Sequence, residues 1–166
     1  NGRVDGGGGC GTVWRRIGHM KLLDVNILIY AHREDQEHHA FFKRNVEALS
    51  REGQPFGLTP SASAGFIRVA THAKFPNGPT PLPLALAFIE TLMSHPCAGW
   101  VGPGRSHWEV FADLCRKTSC RGKLSADAHH AATAIEHACV WISRDTDFER
   151  FTPYGLRFEK WEPGQG

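Results

Sequence analysis

A chain of 166 residues, 41% of them hydrophobic, has the size of one domain and can bury about 68 to 70% of its unfolded surface. Its five cysteines (Cys10, Cys97, Cys115, Cys120, Cys139) are odd in number and form no CxxC pair, which argues against a disulfide framework and suits a reducing cytoplasm; no run reaches the roughly 18 apolar residues of a membrane span. The formal charge of +2 arises in residues 1–19, where Arg3, Arg15 and Arg16 face only Asp5, whereas the 16 basic and 16 acidic residues from Met20 onward cancel, so any affinity for nucleic acid must come from a local patch.

Residues 1–19 carry four consecutive glycines and no apolar period, and are expected to form a flexible leader, a tag or an upstream extension, ahead of a domain spanning 20–166. Met20 to Leu23 then reads as a short strand left by Asp24, and Asn26 to Ala31 as a helix rich in Ile27, Leu28 and Ile29. From His38 to Arg51, Phe42, Val46 and Leu49 recur at helical spacing, and Gly53 ends that helix. Phe56 to Thr59 is a second strand, after which Ser61 is expected to cap a helix carrying Ala62, Phe66, Val69 and Ala70.

A PNGPTP loop leads to Thr80 and Pro81, an expected cap and first-turn pair. The helix they open holds Leu84, Phe88, Ile89, Leu92 and Met93, and is apolar nearly all round, so it is buried or awaits a partner. Ala98 to Val101 is a third strand, and Ser106 to Lys117 a helix expected to turn Trp108, Phe111, Ala112 and Cys115 inward. Ser125 is expected to cap the next helix, with Asp127 in its first turn and Ala128, Ala131, Ala132 and Ile135 facing the core. Cys139 to Ser143 is a buried strand followed by Asp145 and Asp147, and Leu156 to Trp161 alternates as an edge strand. Strands separated by helices in this order predict an α/β chain, a three-layer α/β/α sandwich around a central, mainly parallel sheet.

Each carboxylate has an ordinary explanation taken singly. Asp24 can cap the helix after it, Asp127 can be a first-turn charge, and Asp145 and Asp147 can belong to a polar loop in which Asp147 caps a short helix. Together they are more telling, because strand ends and a helix start meet at the carboxyl edge of a parallel sheet, where open α/β folds place their sites. Carboxylates gathered there repel one another unless a cation lies among them. Hard oxygen donors favour Mg²⁺ or Mn²⁺, and such a site suits phosphodiester hydrolysis.

Other candidates carry less. His38–His39 and His129–His130 are adjacent pairs whose side chains diverge on a helix, and no HExxH or Cys–His spacing is present. Arg116, Lys117, Arg121 and Lys123 precede Asp127 and either hold the phosphates of a nucleic acid or solvate a loop. Trp100, Trp108 and Trp141 sit in core-like runs.

LLDVNILIYA at 22–31, PSASAGFIRVATH at 60–72, SADAHHAATAIEHA at 125–138 and WISRDTDFERF at 141–151 resemble, in order and separation, the signature blocks of PIN-domain proteins, specifically the VapC-type toxin ribonucleases of bacterial toxin–antitoxin pairs. The resemblance spans almost all of residues 20–161. It implies a PIN-like sandwich, Mg²⁺-dependent endoribonuclease activity (Mn²⁺ as an alternative) and neutralisation by a cognate VapB-type antitoxin. It further implies a cytoplasmic homodimer or toxin–antitoxin hetero-oligomer. On the matching positions Asp24, Asp127 and Asp145 are the implied catalytic, metal-binding acids, Asp147 is a further metal ligand or supporting acid, and Asn26 and Ser143 are polar supports. The chain departs from the pattern at Gly65, where PIN domains usually carry a Glu, which bears on whether one or two metals bind. The same departure sustains a second reading, a catalytically weak or inactive PIN-like module that binds RNA or protein. A phospho-accepting receiver domain is disfavoured because it wants paired acids after the first strand and a Lys after a late one, whereas Asp24 is followed by Val25–Asn26 and Ser143 by Arg144. The helices around 66–70 and 84–93 are expected to present a groove for an antitoxin segment.

Overall fold

The computed structural model describes residues 20–164; the leader expected at 1–19 lies outside them. Five strands, β1 (Lys21–Leu23), β2 (Phe56–Leu58), β3 (Ala98–Trp100), β4 (Val140–Ser143) and β5 (Arg157–Lys160), form one sheet in the order β3-β2-β1-β4-β5. Every pairing is parallel. Six α-helices connect them: α1 (Val25–His32), α2 (His39–Arg51), α3 (Pro60–Ala70), α4 (Leu82–Met93), α5 (His107–Thr118) and α6 (Lys123–Glu136). A 3-10 helix, Thr146–Tyr154, joins β4 to β5.

Period-two alternation in the strands divides the core into two layers. Leu23 and Ile142 face a cluster built with α1 to α4 around Phe42, Phe56, Leu58 and Phe66. Leu22 and Trp141 face the opposite cluster, built with α5, α6 and the 3-10 helix around Leu114, Ala131, Phe148 and Phe151. Each such fully buried large side chain contributes about 1.5 to 3 kcal/mol of transfer free energy. The three-layer sandwich read from the sequence is the one observed, and no helix among the described residues is long and apolar enough to cross a membrane.

Local details differ from the sequence reading for identifiable reasons. Thr59, not Ser61, caps α3: its Oγ1 accepts from the Ala62 N–H at 3.0 Å, with Pro60 in the first turn. Thr80 does not cap α4, which begins at Leu82 with no side-chain cap. Its hydroxyl instead accepts from the Arg33 guanidinium at 3.2 Å. α6 starts two residues before Ser125, after a turn at Gly122 (φ 55°), and Ser125 Oγ donates back to the Gly122 carbonyl. Asp127 therefore stands in the second turn. Trp108 is 70% exposed, because His107 and Leu114 take the inward positions of α5 and His107 contacts the His129 carbonyl through its ring. Trp100 is also half exposed, on the edge strand β3.

Candidate metal site at the carboxyl edge

The chain leaves β1 and β4 at neighbouring places in the sheet, yet the connections from them run to opposite sides, β1 to β2 and β4 to β5. That divergence opens a crevice at the carboxyl ends of the two strands. Asp24 is the first residue past β1, and its N–H donates to the Ile142 carbonyl of β4 at 3.0 Å. Asp145 follows β4 by two residues, Asp147 is the second residue of the 3-10 helix, and α6 delivers Asp127.

Asp127, Asp145 and Asp147 offer carboxylate oxygens that all lie within 4.8 Å of one another. Asp24 stands outside that trio, but it lines the same cleft of about 540 Å³ with Asp127 and Asp145, and feels the charge of both. The four carboxylates singled out in the sequence thus gather at one edge, three tightly and one beside them.

Asp24 is anchored on both oxygens. Oδ1 accepts from the Val25 N–H at 2.7 Å, which makes it the N-cap of α1, and Oδ2 accepts from Ser143 Oγ at 2.6 Å and from Asn26 Nδ2 at 3.1 Å. The capping explanation for Asp24 and its place in the cluster therefore hold together. Ser143 and Asn26 extend the network. Asn26 Nδ2 also reaches Ser143 Oγ, the Asp145 N–H donates to Ser143 Oγ, and Asn26 Oδ1 accepts from the Arg144 N–H. The network fixes the β4 exit against the start of α1. Asp145 in turn caps the 3-10 helix through the Asp147 N–H, the role the sequence suggested for Asp147.

The electrostatics are those of a site short of positive charge. Burial pushes the Asp24 carboxyl up to about 6, against its hydrogen bonds from Ser143 and Val25 and with the help of Asp127 and Asp145. Burial also raises Asp127, opposed by Lys123 and supported by Asp145 and Asp147. For Asp145 burial acts upward too, but the Lys123 ammonium and the Asp147 N–H outweigh it and hold the carboxyl below its ordinary value. Asp127 Oδ2 is buried without a hydrogen-bond partner. A buried, unpaired carboxylate oxygen is costly, and with two other carboxylates beside it the donor set fits a hard divalent cation. Of the basic residues before Asp127, Lys123 turns into the site, with Nζ 2.8 Å from Asp145 Oδ2, while Lys117 pairs with Asp113 and covers the Tyr154 ring.

Gly65 faces Val25 at the crossing of α3 and α1, and a Cβ added there would meet Val25 Cγ2 at 2.8 Å. Two cleft residues were not assigned to the site from the sequence. His130, stacked on Trp141 with ring centroids 4.9 Å apart, lines the cleft, and burial pushes its imidazole down to about 4. Arg68 of α3 lines the same cleft. Its signal was visible only as a lone cation in an apolar helix.

Comparison with known proteins agrees with this geometry. The PIN domain family matches residues 21–152. Ribonuclease VapC43 of Mycobacterium tuberculosis is 39% identical over 132 residues, covering 80% of this chain and 90% of that protein. Ribonuclease VapC31 of the same organism is 35% identical over 132 residues, covering 80% and 93%. Among solved structures, VapBC2 from Rickettsia felis, bound to a DNA fragment from its promoter, shares the fold with a TM-score of 0.62 at 15% identity, over 86% of this chain and 99% of that one. DNA-bound VapBC from Salmonella typhimurium gives 0.59 at 20% identity, over 86% and 98%. The sequence matches, spanning nine-tenths or more of each relative, place this chain in the PIN-domain family of VapC ribonucleases.

Proposed function

We propose that the chain is a toxin endoribonuclease that hydrolyses RNA phosphodiester bonds at the Asp24–Asp127–Asp145–Asp147 edge, and that a VapB-type antitoxin neutralises it. The observation that carries this reading is the trio of carboxylates within 4.8 Å, one of them with a buried oxygen that no protein group satisfies. Asp127, Asp145 and Asp147 would hold a divalent ion, Mg²⁺ or Mn²⁺, with Asp24 beside them. Such an ion supplies Lewis-acid polarisation of a phosphoryl oxygen and acidification of a water. Asp24, tied to Ser143 and Asn26, keeps the β1 and β4 ends in register, so the carboxylates stay gathered without a large reorganisation. The names of the relatives, ribonucleases, and of the structural neighbours, VapB–VapC complexes, support the substrate class and the partner.

Gly65 favours a second reading, a PIN-like module that binds RNA without cutting it, since no acid reaches the site from α3. RNA cleavage in Mg²⁺ or Mn²⁺, and with chelator, separates the two. The toxin reading expects cleavage by the intact chain, loss of it in chelator, and a fall of about 100-fold or more in Asp24→Asn and Asp127→Asn, on the scale of removing one group that stabilises developing charge. Unchanged cleavage in both variants overturns it, and RNA binding without cleavage by any form favours the module.

A further inference from the structure

The carboxylate edge is a poor place for RNA to land. Asp24, Asp127 and Asp145 line the cleft, the described chain carries no net basic field, and Lys123 is already engaged with Asp145. The part of the lining that comes from α3 and the loop after it differs. Arg68 is exposed and lines the same cleft, and its guanidinium makes no hydrogen bond or ion pair among the described residues. A second cavity of about 300 Å³ shares Arg68, Val69, Phe75 and Pro76 with the first and extends to His72 and Lys74. His72 lies two residues past the end of α3, where its Nδ1 accepts from the Lys74 N–H at 3.1 Å. The Lys74 ammonium is likewise without an ion pair among the described residues.

This wall is rigidly held, which distinguishes it from a scatter of surface cations. Arg33, at the end of α1, donates to the Gly78 carbonyl at 2.9 Å, the Pro76 carbonyl at 3.2 Å and Thr80 Oγ1 at 3.2 Å. Its guanidinium is locked by a two-pronged bond to Asp35, at 2.9 and 2.7 Å, and lies 4.5 Å over the centre of the Phe75 ring. Asn77 adds a bond to Asp35 Oδ2 at 3.1 Å, and the turn runs through left-handed conformations at Asn77 and Gly78. Five anchors from one small cluster fix a loop that otherwise has little apolar surface to hold it.

We propose that this wall, Arg68 with His72 and Lys74 on the loop clamped by Arg33, is the binding track for the phosphate backbone of the RNA strand flanking the scissile bond. Arg68 and Lys74 supply the phosphate contacts; Arg33 is a positioning residue that keeps Phe75 and Pro76 in place. A guanidinium suits this role because its planar donors match phosphate oxygens, and the contacts carry no base specificity.

The proposal rests on the ribonuclease reading, and its test is kept separate from it. Binding of a short fluorescent single-stranded RNA is measured over a salt series in Mg²⁺, in an Asp127→Asn background. Arg68→Gln and Lys74→Gln are expected to weaken binding severalfold each and to reduce the log–log salt slope by about 0.7 per contact. Arg51→Gln, on the remote face of α2, is expected to change neither. In the cleaving chain Arg68→Gln raises KM with kcat little changed. Arg33→Lys, which keeps the charge and loses the fork, weakens RNA binding while Mn²⁺ binding by the otherwise intact chain stays the same. Salt slopes that are equal for Arg68→Gln, Arg51→Gln and the parent overturn the proposal. So does loss of antitoxin binding in Arg68→Gln with RNA binding intact. If the intact chain cuts no RNA but the Arg68 dependence of binding holds, the ribonuclease reading falls and the track stands.

Discussion

Lys123 Nζ lies 2.8 Å from Asp145 Oδ2 and 3.9 Å from Asp147 Oδ2, so an ammonium rests against two of the three clustered carboxylates. The contact with Asp145 raises the pKa of Lys123, and the lysine stays charged. It is a tethered cation in the position a divalent ion would neutralise. Its side chain is mostly exposed, so it can swing away at small cost. Lys123→Gln is expected to tighten Mn²⁺ binding by up to about fivefold, the scale of a surface ion pair worth ~1 kcal/mol. Titration calorimetry reads this directly, and weaker binding would show that the lysine supports the ion rather than competing with it.

Gly65 and Val25 make a second prediction. The approach of α3 to α1 leaves 2.8 Å between a Cβ at 65 and Val25 Cγ2, and a β-branched side chain at the start of a helix has little freedom to withdraw. Gly65→Ala should gain up to about 1 kcal/mol of helix propensity and lose about 1 to 3 kcal/mol to overpacking, for a net destabilisation. Val25→Ala in the same chain removes the obstructing methyl and should restore stability, a coupling that a double-mutant cycle in urea measures. Gly65→Glu, for the same reason, is expected to unsettle the α1–α3 crossing instead of adding an acid to the site. Additive losses in the cycle would refute the steric account.

How far the sequence carried this structure follows from the range of the forces involved. The first four strands were legible because each is a short, mostly apolar run bounded by polar or turn residues, and β5 because its side chains alternate as on a sheet edge. Asp24 and Asp145 were legible for the same reason: a carboxylate just past a buried strand has only the sheet edge to occupy. Trp108 was misread because the phase of α5 is set by His107 packing against His129, a contact with another helix that local periodicity does not contain. Lys123 looked like one of four loop cations, whereas it is the first residue of α6. The Arg33 fork joins residues more than forty positions apart, and no spacing rule announces it.

The pH dependence of stability tests the burial of the site. Between its ordinary 3.8 and about 6, the folded chain holds a proton on Asp24 that the unfolded chain has released. This carboxyl therefore favours the folded state most at low pH, and the advantage, about 3 kcal/mol at full extent, is lost as pH rises through about 6. Asp127 has the same sign. His130 has the opposite one: its pKa falls from 6.5 to about 4, so the unfolded chain takes up the extra proton, and stability is lost as pH falls through that window. His32 and His129, also lowered by burial, act with His130. In chelator, urea unfolding from pH 4 to 6.5 should show stability rising more steeply with pH in Asp24→Asn than in the parent, and less steeply in His130→Gln. Parallel curves for all three chains would mean that neither group is buried as described.

The outer face of α4 carries the last prediction. The groove expected between α3 and α4 is closed, since the Phe66 and Phe88 rings meet with centroids 5.2 Å apart and Ala70, Ala85 and Ile89 are buried in the core. What remains open is the first turn and a half of α4, where Leu82, Leu84 and Leu86 are 52%, 59% and 43% exposed. Three exposed leucines so close together on one helix are more than scattered surface apolarity, and they suit an amphipathic antitoxin helix. Leu84→Glu places a charge on this exposed stretch, on the flank across the helix from Leu82 and Leu86, without touching the carboxylate edge. The expected outcome is at least about tenfold weaker capture of the cognate antitoxin, on the scale of losing one interface anchor of 1.4 kcal/mol or more, with RNA cleavage and thermal midpoint close to those of the parent. Size-exclusion chromatography of the free chain separates this from self-association: a parent dimer that Leu84→Glu turns into a monomer, with antitoxin affinity unchanged, would assign the face to a second copy of the chain instead.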